Sequence, residues 1–297
     1  MPKTASRHTP SLEEARRHVQ EMWVAVSGAW EQHADFVEAR SAELTRQLLA
    51  ETEPKPGERV LELASGAGDV GLAVAPLVAP GEVVVSDIAA GMVAIAARRA
   101  EARGLTNVSV RAFGAEAIDS DDATFDIILC REGLMFAADP ALAGREIARV
   151  LRPGGRAAVA VWGPKAENPW LGLVFDAVSA QLGRPLPPPG MPGPFALADA
   201  GTLGALLVAN GLDQIAVRDV PVPLTAASFD QWWSRTSALA GPLTMILSGL
   251  PTPARSEIAE RLRAAVRPFQ ANDGSLHFPG LARLASARCP DKARKPA

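Results

Sequence analysis

The stretch Val60-Leu61-Glu62-Leu63-Ala64-Ser65-Gly66-Ala67-Gly68-Asp69-Val70-Gly71 constrains the fold of this chain more than any other segment. An apolar run that reads as a strand enters a glycine-rich turn and leaves it as a helix, and Gly66, Gly68 and Gly71 satisfy G-x-G-x-x-G. Glycines at these places let a ligand approach the backbone and let the helix amides face it. Alone, the pattern is equally compatible with simple turn chemistry. Asp87 sharpens it, because it closes the next apolar run about 20 residues after the turn, where a carboxylate accepts both hydroxyls of an adenosine ribose. Together they imply a βαβ unit and an adenosine-containing cofactor.

The surrounding pattern extends that unit into a sheet. Between 58 and 162, short valine- and isoleucine-rich runs alternate with helical segments, which predicts parallel strands at 59–63, 82–86, 108–112, 125–130 and 157–162. Each run is nearly continuously apolar, as strands covered by helices on both faces must be. Upstream, Ser11 and Glu14 form a capping box, and Leu12, Ala15, Val19, Met22, Trp23 and Val26 share one helical face that Gly28 is expected to end. A second helix is expected over 36–50, and Pro54 and Pro56 mark a boundary. Downstream, the pattern predicts a helix over 169–182, begun at Asn168-Pro169-Trp170, and a proline-rich loop over 185–194. A helix capped by Asp199 and ended by Gly211 follows, then a strand over 214–224. Thr252-Pro253 has the cap-then-proline form, Ile258, Leu262 and Val266 make a stripe, and Pro268 ends it. A last strand is expected over 275–287, before a polar, basic tail at 291–297. The expected fold class is therefore α/β: a Rossmann-like, mostly parallel sheet with helices on both faces, plus an N-terminal and an inserted helical cap. Its expected parts are an N-terminal cap (1–53), a core (54–225, with a cap insertion at about 164–197), an inserted lid (226–270) and a last strand with the tail (271–297).

Composition removes several function classes. With 297 residues, 48% hydrophobic and 21% charged, the chain is globular rather than disordered. Lys and Arg number 30 against 33 Asp and Glu, so the basic footprint of a nucleic-acid binder is missing. Cys130 and Cys289 make neither a disulfide framework nor a zinc site, no metal is expected, and a cytoplasmic location fits. The charged run Glu13-Glu14-Ala15-Arg16-Arg17 stands where a signal peptide needs apolar residues, and the apolar stretch 237–250 is broken by Gly241 and Pro242, so no membrane span is expected. Tyrosine is absent, so no phenol serves as acid or base.

Charge chooses between adenosine cofactors. A pyrophosphate would sit near Glu62 and Asp69, which repel it, whereas S-adenosylmethionine carries a sulfonium and an ammonium that acidic residues favour. At this point the chain resembles the class I S-adenosylmethionine-dependent methyltransferases, especially the ubiquinone/menaquinone C-methyltransferase-like branch. The resemblance spans about 57–162 and rests on residues 62–68, residues 85–92, Gly114-Ala115-Glu116-Ala117 with Phe125-Asp126, and Leu151-Arg152-Pro153-Gly154-Gly155-Arg156. It implies that Glu62 and the backbone of Ala64, Ser65, Gly66 and Gly68 hold the methionine end, that Asp87 holds the ribose, and that Ile88 and Met92 flank the adenine. Gly114 stands where the family commonly has an aspartate, so the Ala115 backbone and Glu116 take over the contact to the adenine amino group; Cys130 and Arg131, ending the fourth strand, complete the cofactor set. Ala64 replaces the family's first glycine, a change that calls for negative φ there.

The implied reaction is methyl transfer by in-line displacement to a small, largely apolar or aromatic acceptor such as a quinone, phenol, polyketide or lipid-like compound. Alignment and exclusion of water carry most of such a reaction, so no dedicated base is required. Candidate catalytic residues are His33, between the first two helices, and Arg131 and Glu132, at the carboxyl edge of the fourth strand; an exposed histidine and a surface ion pair are the plain alternatives. Cys130 reads as a small buried hydrophobe without a catalytic role. Trp23, Trp30, Trp232 and Trp233, with Phe195, Phe229, Met191 and Met245, are expected to supply an apolar cap with few inward charges. A nicotinamide-dependent oxidoreductase and a non-catalytic methyltransferase-like binding protein are the rival readings, and a homodimer is left open.

Overall fold

The computed structural model describes residues 11–188 and 190–291. The signal-peptide reading of the first ten residues, Pro189 of the proline-rich run and the basic tail after Asp291 lie outside the described residues. In chain order the elements are α1 (Leu12–Gln32), α2 (Ala34–Thr52), β1 (Val60–Leu63), α3 (Asp69–Val78), β2 (Val83–Asp87), α4 (Ala90–Ala102), β3 (Val108–Ala112), β4 (Phe125–Arg131), α5 (Pro140–Val150), β5 (Leu151–Trp162) and α6 (Pro169–Leu182). Then follow α7 (Ala200–Ala209), β6 (Asp213–Pro221), β7 (Leu224–Ala226), α8 (Phe229–Leu239), α9 (Gly241–Gly249), α10 (Thr252–Ala265), β8 (Leu276–Phe278) and β9 (Leu281–Arg288). Seven strands form one sheet in the order β3-β2-β1-β4-β5-β9-β6, and β7 pairs with β8 in a separate ribbon. Only β9 runs against its neighbours in the large sheet. The mostly parallel Rossmann-like sheet expected from sequence is therefore the fold. Strand order reverses between β1 and β4, and the crevice outside the carboxyl ends at such a reversal is where open α/β sheets bind ligands.

Local sequence explains where the chain departs from expectation. The capping box at Ser11 and Glu14 forms, but α1 runs past Gly28 to Gln32, because a helix absorbs an interior glycine at a cost of about 1 kcal/mol. The expected strand over 214–224 divides at Val222-Pro223, and the one over 275–287 divides at Pro279-Gly280. At both breaks a proline removes a ladder donor. The Val222 amide donates to the Gly280 carbonyl at 2.8 Å, tying the two breaks together as the chain passes between ribbon and sheet. Thr252 lies inside α10, whose cap position is Pro251. Asn168, buried at the start of α6, donates to the carbonyls of Gly163, Pro164 and Leu281 and accepts from the Leu281 amide, stitching the end of β5 to the start of β9.

Two helical layers close over the carboxyl edge. Leu44 and Leu48 of α2 are fully buried against the sheet, each contributing about 1.5–3 kcal/mol by area removed from water. The helix α1 packs on α4 of the core and on α8 and α9 of the insertion, so it bridges the two. Trp232 on α8 fixes the insertion to the core: its indole nitrogen donates to the Trp170 carbonyl at 3.1 Å, and its ring meets Phe229 and Phe278 at 5.6 and 5.2 Å. Among the described residues, no helix is long and apolar enough to cross a membrane.

Candidate cofactor and acceptor site

Between the carboxyl edge and the helical layers lies a cavity whose empty space, mouth included, is about 1540 Å³. Its floor is the glycine-rich turn. There Glu62, fully buried in β1, directs its carboxylate under the turn rather than into the cavity, accepting from the Val70 amide at 3.2 Å and the Gly71 amide at 2.8 Å. Burial pushes this carboxyl up to about 8, against the pull of those two amides. A Cβ at Gly71 would come within 2.6 Å of the Glu62 carboxylate, which is why the third glycine is needed. The Gly66 amide donates to Asp87 Oδ2 at 2.9 Å, the Ser65 amide to the Ser86 carbonyl and the Gly68 amide to the Ser65 carbonyl. The amides of Ser65, Gly66, Gly68, Val70 and Gly71, five of those at the turn and helix start, are thus engaged with the protein's own oxygens.

Asp87 faces the cavity from the end of β2. Its two oxygens each accept one backbone amide, from Gly66 and from Ala89, both at 2.9 Å. A carboxylate offers about four acceptor sites, so capacity for ligand hydroxyls remains. Burial raises its carboxyl to about 6. Ile88 and Met92 form an apolar wall beside it, and Gly114, Ala115 and Glu116 line the next stretch. Glu116 also accepts from the Ala138 and Asp139 amides at 2.8 and 3.1 Å, so part of its carboxylate serves the fold. A carboxylate with free lone pairs beside an apolar slot suits a ribose and an adenine.

Of the expected site residues, Ala64, Ser65, Gly66, Asp87, Ile88, Met92, Gly114, Ala115, Glu116, Arg131 and Glu132 line the cavity. Glu62, Gly68, Cys130 and His33 are not part of its wall, and each has a physical reason. Glu62 is turned under the helix, and Gly68 packs against Ala96. Cys130 is fully buried in β4, which drives its thiol up to about 12. His33 is the link between α1 and α2. The charge argument for the cofactor also changes: Asp69 is no free anion, since Arg99 and Arg131 both pair with it at 2.5 Å. Ala64 takes φ +50 rather than the expected negative value, a left-handed conformation that costs an alanine about 1–2 kcal/mol. The loop after β4 allows it, because Gly133 lacks the Cβ that would meet Ala64 Cβ at 2.3 Å.

The expected cap is only partly the one observed. Trp23, Trp30 and Trp232 line the cavity, but Trp233, Phe195, Phe229, Met191 and Met245 do not, and Met245 is 40% exposed. Inward charges are present: Arg40 of α2 and Arg235 of α8 both reach the wall. Arg40 lies over Trp162 and Trp170, with ring centroids 4.9 and 4.8 Å away, and approaches Glu132 at 3.4 Å. Neither arginine sits in a motif, so sequence offered no signal beyond its place on a helix.

Comparison with known proteins agrees with this geometry. A family described as "Methyltransferase domain" matches residues 60–155. The ubiquinone/menaquinone biosynthesis C-methyltransferase UbiE of Cellvibrio japonicus is 30% identical over 174 residues, covering 58% of this chain and 70% of that protein. The protein of that name from Xanthomonas campestris is 35% identical over 139 residues, 46% of this chain and 54% of its own length, so the chain spans about half of that relative. Among solved structures, the YcgJ protein of Bacillus subtilis superposes with a TM-score of 0.57 at 24% identity, covering 84% of this chain and 98% of that one. The [4+2]-cyclase SpnF gives 0.56 at 21% identity over 98% and 100%. The fold is the Rossmann-like one shared by these structures. The chain belongs to the class I S-adenosylmethionine-dependent methyltransferases.

Proposed function

We propose that the chain binds S-adenosylmethionine along β1 and β2 and directs methyl transfer to a small acceptor, largely apolar or aromatic, held beneath α1, α2 and α8. The carrying observation is the state of the glycine-rich turn: the amides of Ser65, Gly66, Gly68, Val70 and Gly71 are engaged by Glu62, Asp87 and backbone carbonyls, while Asp87 keeps accepting capacity toward the cavity. That arrangement suits a nucleoside without phosphates and leaves a nicotinamide dinucleotide without its anion cradle.

S-adenosylmethionine, when bound, supplies a methyl group already activated on a sulfonium. The chain's own residues then have three tasks. Asp87 accepts from the ribose hydroxyls, and Ile88 and Met92 flank the adenine. Trp30 covers the turn, its ring 2.9 Å from where a Cβ on Gly66 would stand, and helps keep water out. Trp162, Trp170 and Trp232 shape an apolar chamber that orients the acceptor, and the quinone-modifying relatives support an aromatic ring there. Turnover with labelled cofactor over a panel of quinols, phenols, peptides and sugars tests the reading. Label in aromatic acceptors supports it; label only in peptides or sugars overturns it.

A further inference from the structure

The chamber contains an ionic pair, Glu132 and Arg40, whose polar capacity is not fully used by the fold. Glu132 follows β4 and lines the cavity with φ +58, a left-handed backbone that a glutamate adopts only when its surroundings hold it there. Its Oε2 meets Arg40 at 3.4 Å, a long contact, and its Oε1 is buried without a partner. Arg40 is in the same condition: its Nε is buried and unpartnered while its guanidinium is pressed over Trp162 and Trp170. Buried polar atoms left unsatisfied are costly and call for an explanation, which a ligand supplying both a donor and an acceptor provides. Arg131 beside them is committed to Asp69 and Thr45 and is not free for that task.

We propose that Glu132 and Arg40 form the acceptor-hydroxyl site, with Glu132 Oε1 the base that takes the proton of a phenolic or enolic hydroxyl and Arg40 the cation that holds the resulting oxyanion. This rests on the methyltransferase reading and names its acceptor as a hydroxylated aromatic or enol. In the step, the acceptor O–H bond breaks, the proton goes to Glu132, and the electron pair stays on the acceptor oxygen. A bond then forms from that oxygen to the methyl carbon, and the sulfur–methyl bond breaks with its electrons going to sulfur. Attack from the conjugated ring carbon gives the same balance, since that carbon's hydrogen leaves as the oxygen regains a proton. Burial raises the Glu132 carboxyl while Arg40 and Arg131 oppose the rise, and a raised carboxyl is a stronger base toward a hydroxyl proton than an ordinary one. The charged groups facing it are Arg40 from α2, Arg131 from β4 and Asp69 from α3, with Arg235 of α8 on the same cavity wall.

The test compares the wild type with Glu132→Gln, which keeps the side-chain shape and loses only one long ion contact, so it should fold. S-adenosylhomocysteine binding by calorimetry should stay within about twofold, and its absence in the wild type would overturn the methyltransferase reading separately. Methyl transfer is measured to a series of para-substituted phenols from 4-methoxyphenol to 4-nitrophenol. The variant should lose roughly a hundredfold or more with the weakly acidic phenols and far less with 4-nitrophenol, which arrives already ionised, and the acid limb of its pH profile should move to the ionisation of each phenol itself. Independently of turnover, 4-nitrophenol bound to the wild type with S-adenosylhomocysteine should show its phenolate absorbance at a pH where the free phenol is mostly protonated, and Glu132→Gln should abolish this. Equal losses across the series, an unchanged acid limb, an unchanged spectrum, or no transfer by the wild type to any phenol would each overturn the proposal.

Discussion

Two carboxylates separated by one strand have opposite duties, and titration can distinguish them. Glu62 is held at about 8 by burial, so between its ordinary 4.5 and about 8 the folded chain keeps a proton that the unfolded chain has released. Its contribution to stability is therefore full below pH 4.5 and declines as pH rises through that window, by up to about 1.4 kcal/mol per unit. Denaturant unfolding at a series of pH values from 5 to 8 should show Glu62→Gln starting lower, because one amide faces an amide, but falling less steeply than the wild type; parallel slopes would contradict the assignment. Asp87 acts on the ligand instead. With its carboxyl at about 6, S-adenosylhomocysteine affinity should tighten as pH rises from 5 to 7 and then level, since the ionised form accepts ribose hydroxyls best. Asp87→Ala should weaken binding by roughly 2–4 kcal/mol and flatten that dependence. Calorimetry in which the variant binds as tightly as the wild type would show that the ribose lies elsewhere. Asp87 was legible from its place after a second apolar run; the inward turn of Glu62 was not, because a motif gives a residue's position and not the direction of its side chain.

At the scale of elements, the strain at Ala64 and the gap at Gly133 form one device. The loop after β4 lies against the turn after β1 closely enough that only one of the two positions can carry a Cβ. Gly133→Ala alone should cost about 1–3 kcal/mol by overpacking. In an Ala64→Gly background, which also removes the left-handed alanine, the same substitution should cost less than about 1 kcal/mol, and thermal unfolding of the four variants measures the coupling. Equal costs in both backgrounds would separate the two loops. The β1 to β5 alternation was readable because buried parallel strands are continuously apolar, and α6 was readable from its proline start and the proline-rich run that follows it. The breaks at Pro223 and Gly280 were missed because each lies inside a run that looks like one strand. What divides each run is a proline that removes a ladder donor together with the Val222–Gly280 contact between two distant segments, and that contact is invisible to any local pattern. Arg40 escaped for the same reason: it becomes a site residue only when α2 is laid against β5 and α6.

As a whole molecule, the chain is a sheet with its ligand edge covered by α1 and α8, joined where the Trp30 indole nitrogen donates to the Leu239 carbonyl at 3.1 Å. An acceptor has to pass that roof before water is excluded. Hydrogen exchange of α8 and α9 should therefore be fast in the free protein and slow with S-adenosylhomocysteine and an acceptor bound, whereas equal protection in both states would make the roof a fixed part of the fold. The glycine-rich turn serves a phosphate-free nucleoside because the amides of Ser65, Gly66, Gly68, Val70 and Gly71 are already engaged. Calorimetric titration of the same protein with S-adenosylhomocysteine and with NADH addresses it most directly. The expected result is micromolar binding of S-adenosylhomocysteine, about −8 kcal/mol, with no measurable heat from NADH; binding of NADH with none of S-adenosylhomocysteine would contradict it.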